Sequence, residues 1–166
     1  MDIEAKLDQR GLVLPAPAIL PPGLVLPFSW VRVRGHRAHL SGHGPLNPDG
    51  SLAQPLGKVG AEVSEDQAYV AARLTALAML ASLKRELGDL DRVTAWLRVF
   101  GMVNSAADYT RQPNVINGFS DLILELYGPD AGNHARCAVG MAQLPLNMPV
   151  EIEAEVEIDG APGPVD

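Results

Sequence analysis

The chain has 166 residues and an apolar fraction of 47%, enough for one domain with a buried core. Its formal charge of −7 argues against a surface for nucleic acid or anionic membrane, both of which repel an acidic protein. The single cysteine, Cys137, cannot close an internal disulfide, which fits a reducing compartment.

The N-terminus, MDIEAKLDQRG, is charged and has no apolar leader core. Charges and prolines interrupt every apolar run before it reaches about 18 residues. A cytoplasmic protein without a membrane span is therefore expected. Residues 1–27 read as a short helix followed by a proline-rich arm, 28–159 as the folded domain, and 160–166 as a flexible tail. Asp2 can cap a helix that presents Ile3 and Leu7 on one face and ends at Gly11. The arm, LVLPAPAILPPGLVLP, cannot be a regular helix, yet it is too apolar to be a solvated linker. It is expected to pack on the body or on a neighbouring subunit.

Trp30 to Arg34 alternates, meets Gly35-His36, and pairs with Ala38 to Ser41 as a hairpin. Gly42 to Pro45 follows as a loop, and Asn47-Pro48-Asp49-Gly50 as a turn. Residues 54–63 read as an irregular connection. Ser64 and Gln67 have capping-box spacing at the start of a helix reaching about Leu87. Val93 to Val103 reads as a strand apolar on both faces, with Trp96, Phe100 and Met102 on the side away from the helices. Pro113 opens a second amphipathic helix that closes at Gly128-Pro129.

The last stretch, His134 to Ile158, organises the chain. Two apolar runs, Arg136 to Leu144 and Val150 to Ile158, are joined by a link that holds Pro145 and Pro149. The second run places Val150, Ile152, Ala154, Val156 and Ile158 on one face and four glutamates on the other, which is the period of a half-buried strand. The order β-β-α-β-α-β-β predicts an α+β fold, a mixed sheet with two helices packed on one face. An apolar open sheet face would call for association with further copies.

The residues Ala135, Arg136, Val139, Leu144, Pro145 and Val150 to Ala154 resemble the C-terminal signature of the YjgF/RidA family. That family comprises reactive-intermediate (imine and enamine) deaminases, some described as L-PSP endoribonucleases. Leu40-Ser41-Gly42 and Val103 to Asn117 extend the likeness over roughly Trp30 to Ile158. The resemblance implies a chorismate-mutase-like subunit, a homotrimer, and sites in clefts between neighbours.

It also implies roles for particular residues. Arg136 would clamp a substrate carboxylate, for which a guanidinium fork is well suited, although a structural salt bridge would use the same residue. Glu151 would hold the hydrolytic water against the imine carbon. Asn117 and the backbone at Gly42 would line the pocket. His43 stands where a glutamine is common, as a substrate contact or proton donor. Either Phe28 or Trp30 takes the space of a family tyrosine, and neither offers a phenol. Cys137 is shifted by one position, hence onto the opposite strand face, and is expected to be buried as a small apolar residue.

Four histidines and one cysteine show no metal-ligand spacing, and no dinucleotide or phosphate glycine motif occurs. No cofactor is needed either, because an imine is already electrophilic. The expected activity is hydrolytic deamination of a small carboxylate-bearing 2-imino or enamine acid. A non-catalytic 2-keto acid binder of the same fold is the alternative, and an endoribonuclease ranks last.

Overall fold

Two strands that pair with a third fix the frame of the molecule. The computed structural model describes residues 2–160; the tail expected over 160–166 lies, beyond Gly160, outside the described residues. In chain order the elements are α1 (Ile3–Gln9), β1 (Val31–Arg34), β2 (Arg37–His43), α2 (Glu65–Leu87), β3 (Val93–Asn104), α3 (Gln112–Ala131), β4 (Ala135–Met141) and β5 (Val150–Ile158). The sheet runs β1-β2-β5-β3-β4, and only β3 and β4 pair in parallel. This is an α+β domain with a mixed sheet, and α2 and α3 pack together on one face of it.

β5 is central and alternates as expected: Val150, Ile152, Val156 and Ile158 are buried under the helices, while Glu151, Glu153 and Glu155 are half-buried on the other face. The long helix begins at Ser64, whose hydroxyl accepts from the Gln67 backbone while the Gln67 side chain accepts from the Ser64 backbone. Gly88, at φ 81°, ends it in the left-handed conformation that glycine adopts without strain. In α3, Gly128 kinks the backbone (φ 79°, ψ 178°) ahead of Pro129, and a last turn runs on through Ala131. The N-terminal helix α1 buries Ile3 and Leu7, and Arg10 pairs with Glu125 of α3 at 2.6 Å.

Trp96 departs from the expected placement. It does not share the open face with Phe100 and Met102 but is 1% exposed beneath the helices, its ring edge-on to Phe119 and Tyr127. The reason is a bulge: Trp96 pairs with Val156 and Arg98 with Glu155, so one extra residue inverts the alternation. The open face is accordingly less apolar than expected. Phe100 and Met102 lie there among Arg98, Glu151 and Glu153, and the Arg98 guanidinium sits 5.7 Å from the Phe100 ring centre.

The arm has no regular secondary structure and packs on its own chain. Leu12 and Leu14 touch the core, Ala16 N–H donates to Pro48 O at 3.0 Å, and Ile19 N–H donates to Gly50 O at 2.9 Å.

The close approach of α2 and α3 depends on Gly118. A Cβ there would lie 2.0 Å from the Tyr69 carbonyl oxygen, a backbone atom that cannot swing away. Gly118→Ala should therefore force the helices apart and destabilise the fold by about 2 kcal/mol or more, at the upper end of overpacking effects. Urea unfolding of the two proteins side by side measures this, and equal midpoints would contradict it.

Candidate functional site

Asn117 and Ser120 are three residues apart on α3 and so share the face turned to β4. There they receive Arg136. Its Nη1 donates to Asn117 Oδ1 at 3.0 Å and to Ser120 Oγ at 2.9 Å, and its Nη2 donates to Pro113 O at 3.5 Å. Behind them stands His134, with Nε2 2.9 Å from Ser120 Oγ and Nδ1 2.7 Å from Gly132 O. A carbonyl can only accept, so Nδ1 carries the proton and Nε2 accepts from the Ser120 hydroxyl. Burial holds the His134 pKa below the ordinary value, and the neighbouring Arg136 adds to this. The guanidinium thus rests on uncharged acceptors alone. Among the described residues it has no ion-pair partner, and the Asn117 amide nitrogen has no acceptor. Both groups are left with donors for an anion.

A second cluster forms where β2 ends. A bulge between Leu40 and His43 turns His43 to the helix side, while Gly42 faces Glu151. A Cβ on Gly42 would fall 2.2 Å from Glu151 Oε1, so the carboxylate occupies the space that glycine leaves open. Glu151 makes no hydrogen bond or ion pair among the described residues. Burial, then the charge of Glu153, pushes its pKa above the ordinary carboxylate value. Together with Gly42, His43, Phe28 and Trp30 it lines a cavity of 350 Å3 between the arm and α2. Phe28 stands edge-on to Trp30 with ring centres 5.4 Å apart, and Trp30 lies 4.9 Å from the His43 ring.

His43 itself is 4% exposed and has both ring nitrogens occupied. Nδ1 donates to Ser41 O at 2.6 Å, and Nε2 accepts from Ser82 Oγ at 2.9 Å. Burial lowers its pKa to about 4, so the ring is neutral and offers the cavity a flat face rather than a proton. Arg85 Nη2 donates to Ser82 Oγ at 3.1 Å, repeating around His43 the arginine-serine-histidine arrangement found around His134.

Within one chain the two clusters do not meet. β3 lies between β4 and β5, and Arg136 faces the helices whereas Glu151 faces the open side of the sheet. The structure brings Arg136 together with Asn117, and Glu151 with Gly42, His43, Phe28 and Trp30. Cys137 lies on the face opposite Arg136 as its position implies, but it is exposed and not buried, because no element covers the outer side of edge strand β4. Among the described residues no group of three or more His, Cys, Asp or Glu side chains could hold a metal ion, and no helix is long and apolar enough to cross a membrane.

Ser120 and His134, which brace Arg136, went unrecognised in the sequence, as did Ser82 and Arg85. The three-residue spacing of Asn117 and Ser120 was the available signal for the first pair. Nothing local links Ser82 to His43, which is 39 residues away.

A family model described as "YjgF/chorismate_mutase-like, putative endoribonuclease" matches residues 4–155. Protein TCP17 of Trypanosoma cruzi is 40% identical over 95% of this chain and 94% of its own length. The crystal structure of Atu1372 from Agrobacterium tumefaciens superposes with a TM-score of 0.84 at 39% identity, covering 95% of this chain and 92% of that one. A "putative endoribonuclease" from Shewanella oneidensis gives 0.86 at 29% identity, covering 95% and 100%. The fold, the extent of the match and these identities agree that the chain belongs to the YjgF/chorismate-mutase-like family.

Proposed function

We propose that the protein hydrolyses 2-imino acids in a cleft between neighbouring subunits of a homotrimer, where the Arg136 cluster of one chain meets the Glu151 cavity of the next. The observation that carries this reading is the complementarity of two incomplete clusters. One holds a braced arginine without a carboxylate, and the other holds a half-buried carboxylate without a donor. Bound between them, a 2-imino acid would have its carboxylate on the Arg136 fork and the Asn117 amide, and its imine carbon against a water held by Glu151.

The chemistry balances without a further reactant. Glu151 takes a proton from water as the oxygen bonds to C2 and returns it to the nitrogen, which receives the C=N electron pair, giving a carbinolamine. Glu151 then takes the hydroxyl proton as the C2 carbonyl forms and passes it to the nitrogen, the C–N bond breaks, ammonia departs, and a 2-oxo acid remains with Glu151 again ionised. An enamine enters the same route after tautomerising to its imine.

A binder that does not turn over its ligand is the competing reading. It draws support from the cavity's own composition, since His43 has no free ring nitrogen and Phe28 and Trp30 supply no hydroxyl. The ribonuclease activity named for some relatives finds less support in a chain of charge −7.

Semicarbazide competition with iminopyruvate, released by an amino-acid oxidase, separates these readings. Wild-type protein should compete with the trap, and Arg136→Ala should lose about 100-fold in kcat/KM, the loss of a charged bidentate contact. Arg136→Lys keeps the charge without the fork and should lose about 10-fold. No rate above background in the wild type, combined with saturable 2-oxo acid binding, would hand the site to the binder.

The pH profile tests Glu151. The base must be ionised, and burial raises its pKa, so kcat/KM should fall on acidification through a midpoint above that of an ordinary glutamate. Glu153→Gln removes the adjacent negative charge and should move that midpoint to lower pH. A profile unmoved by Glu153→Gln and by Glu151→Gln alike would exclude the carboxylate as base. Gly42→Ala should lower kcat by about 10-fold or more by displacing the same carboxylate, with the circular dichroism spectrum preserved; full activity in that variant would show that the position of Oε1 is unimportant.

A further inference from the structure

The cavity beside Glu151 is much larger and more apolar than a three-carbon acid requires. Its 350 Å3 falls in the range of small-molecule sites. Leu20, Leu24 and Leu26 of the arm form its roof, Ala78 of α2 its floor, and Leu146 with Met148 its rim. Glu151 and Gly42 lie against each other in the same lining.

The roof is fastened rather than loosely laid. Besides its backbone bonds to Pro48 and Gly50, the arm is held by Arg85, whose Nη1 donates to Pro15 O at 3.2 Å. Gly50, at φ 86°, lets the Pro17 carbonyl come within 2.3 Å of where a Cβ would stand. The rim is equally specific. Leu146 is a branched residue in the left-handed region (φ 55°), 48% exposed, next to Asn147 at φ 57°. Asn147 Oδ1 accepts from buried Asn104 Nδ2 at 3.1 Å, which helps to hold this turn. A leucine in a conformation that favours glycine or asparagine, turned toward an apolar cavity, is strain kept at a functional position. Ile19, Leu24 and Phe28, all exposed large apolar side chains, surround the same opening.

We propose that this cavity receives the side chain of the substrate, and that the protein selects 2-imino acids with large apolar side chains, such as those derived from branched-chain or aromatic amino acids, over the three-carbon acid. This rests on the reading that the imine carbon sits against Glu151, which is part of the cavity's lining. Arg85 is then a positioning residue that ties the roof to α2.

Binding of pyruvate, 4-methyl-2-oxopentanoate and phenylpyruvate to the full-length protein by calorimetry tests the cavity without requiring turnover. Each buried methylene favours the larger acids by several-fold, so 4-methyl-2-oxopentanoate should bind at least about 10-fold tighter than pyruvate. Leu24→Ser, an exposed position of the roof, should reduce that ratio several-fold. Turnover of the imines of alanine, leucine and phenylalanine, measured in parallel, should follow the same order in kcat/KM. Equal affinities, or a preference for pyruvate, would overturn the cavity's role even if the imines are hydrolysed. Retention of the affinity order with no hydrolysis of any imine would uphold the cavity and overturn the deaminase reading instead.

Discussion

Everything that positions the site passes through β5. It is hydrogen-bonded on both sides, to β2 and to β3, so its register fixes theirs. Burial of Val150, Ile152, Val156 and Ile158 specifies that register, because a slip by one residue would bury four glutamates and expose the apolar set. Glu151 owes its direction to this alternation and its half-buried state to the partner strand, where Gly42 leaves the space it fills. A surface glutamate on any other strand would be an ordinary solvated charge. Here it is a desolvated one, because the fold cannot turn it elsewhere without inverting the strand.

The two arginine-serine-histidine arrangements are a second recurring device. In each, a histidine donates from Nδ1 to the carbonyl two residues before it, accepts a helix serine on Nε2, and leaves that serine's oxygen to take an arginine. A carboxylate in the serine's place would neutralise the cation. A hydroxyl relays orientation without charge and leaves the guanidinium without an ion pair among the described residues, Asp121 acting on it only from a distance. Around His43 the arginine is spent on the arm's Pro15 carbonyl. Around His134 it faces outward beside Asn117.

Legibility in the sequence followed the range of the interaction responsible. The alternation of β5, the capping box at Ser64 and the turn residues are local, and each was readable with its boundaries. Trp96 was misplaced because a bulge leaves no mark in the hydrophobic pattern, which offers aromatic and aliphatic residues on both faces of β3. The burial of Cys137 was misjudged because residue type says little about an edge strand that nothing covers. Arg136, Glu151, Gly42 and Asn117 could be singled out through family resemblance. Ser82 and Arg85 could not, since their partners are determined by packing and not by spacing, and Ser120 left only its three-residue spacing from Asn117. The arm could be seen to pack but not to roof a cavity, as its contacts lie with a turn some thirty residues on.

The neutral histidines also bear on where protons can go. With burial holding His43 near 4 and His134 below its ordinary value, and with the Nε2 atoms of both engaged by serines, neither ring is placed to shuttle a proton near neutral pH. Glu151 is the titratable side chain that the cavity presents with no partner, and its pKa moves upward, toward the working range of a general base. On the proposed reading, acid-base work at this site falls to one carboxylate. In the proposed reaction it passes the protons of water to the departing nitrogen, which suits a leaving group basic enough to accept them. The nitrogen of a carbinolamine meets that condition, whereas an alkoxide departing from a phosphodiester calls for a separate acid.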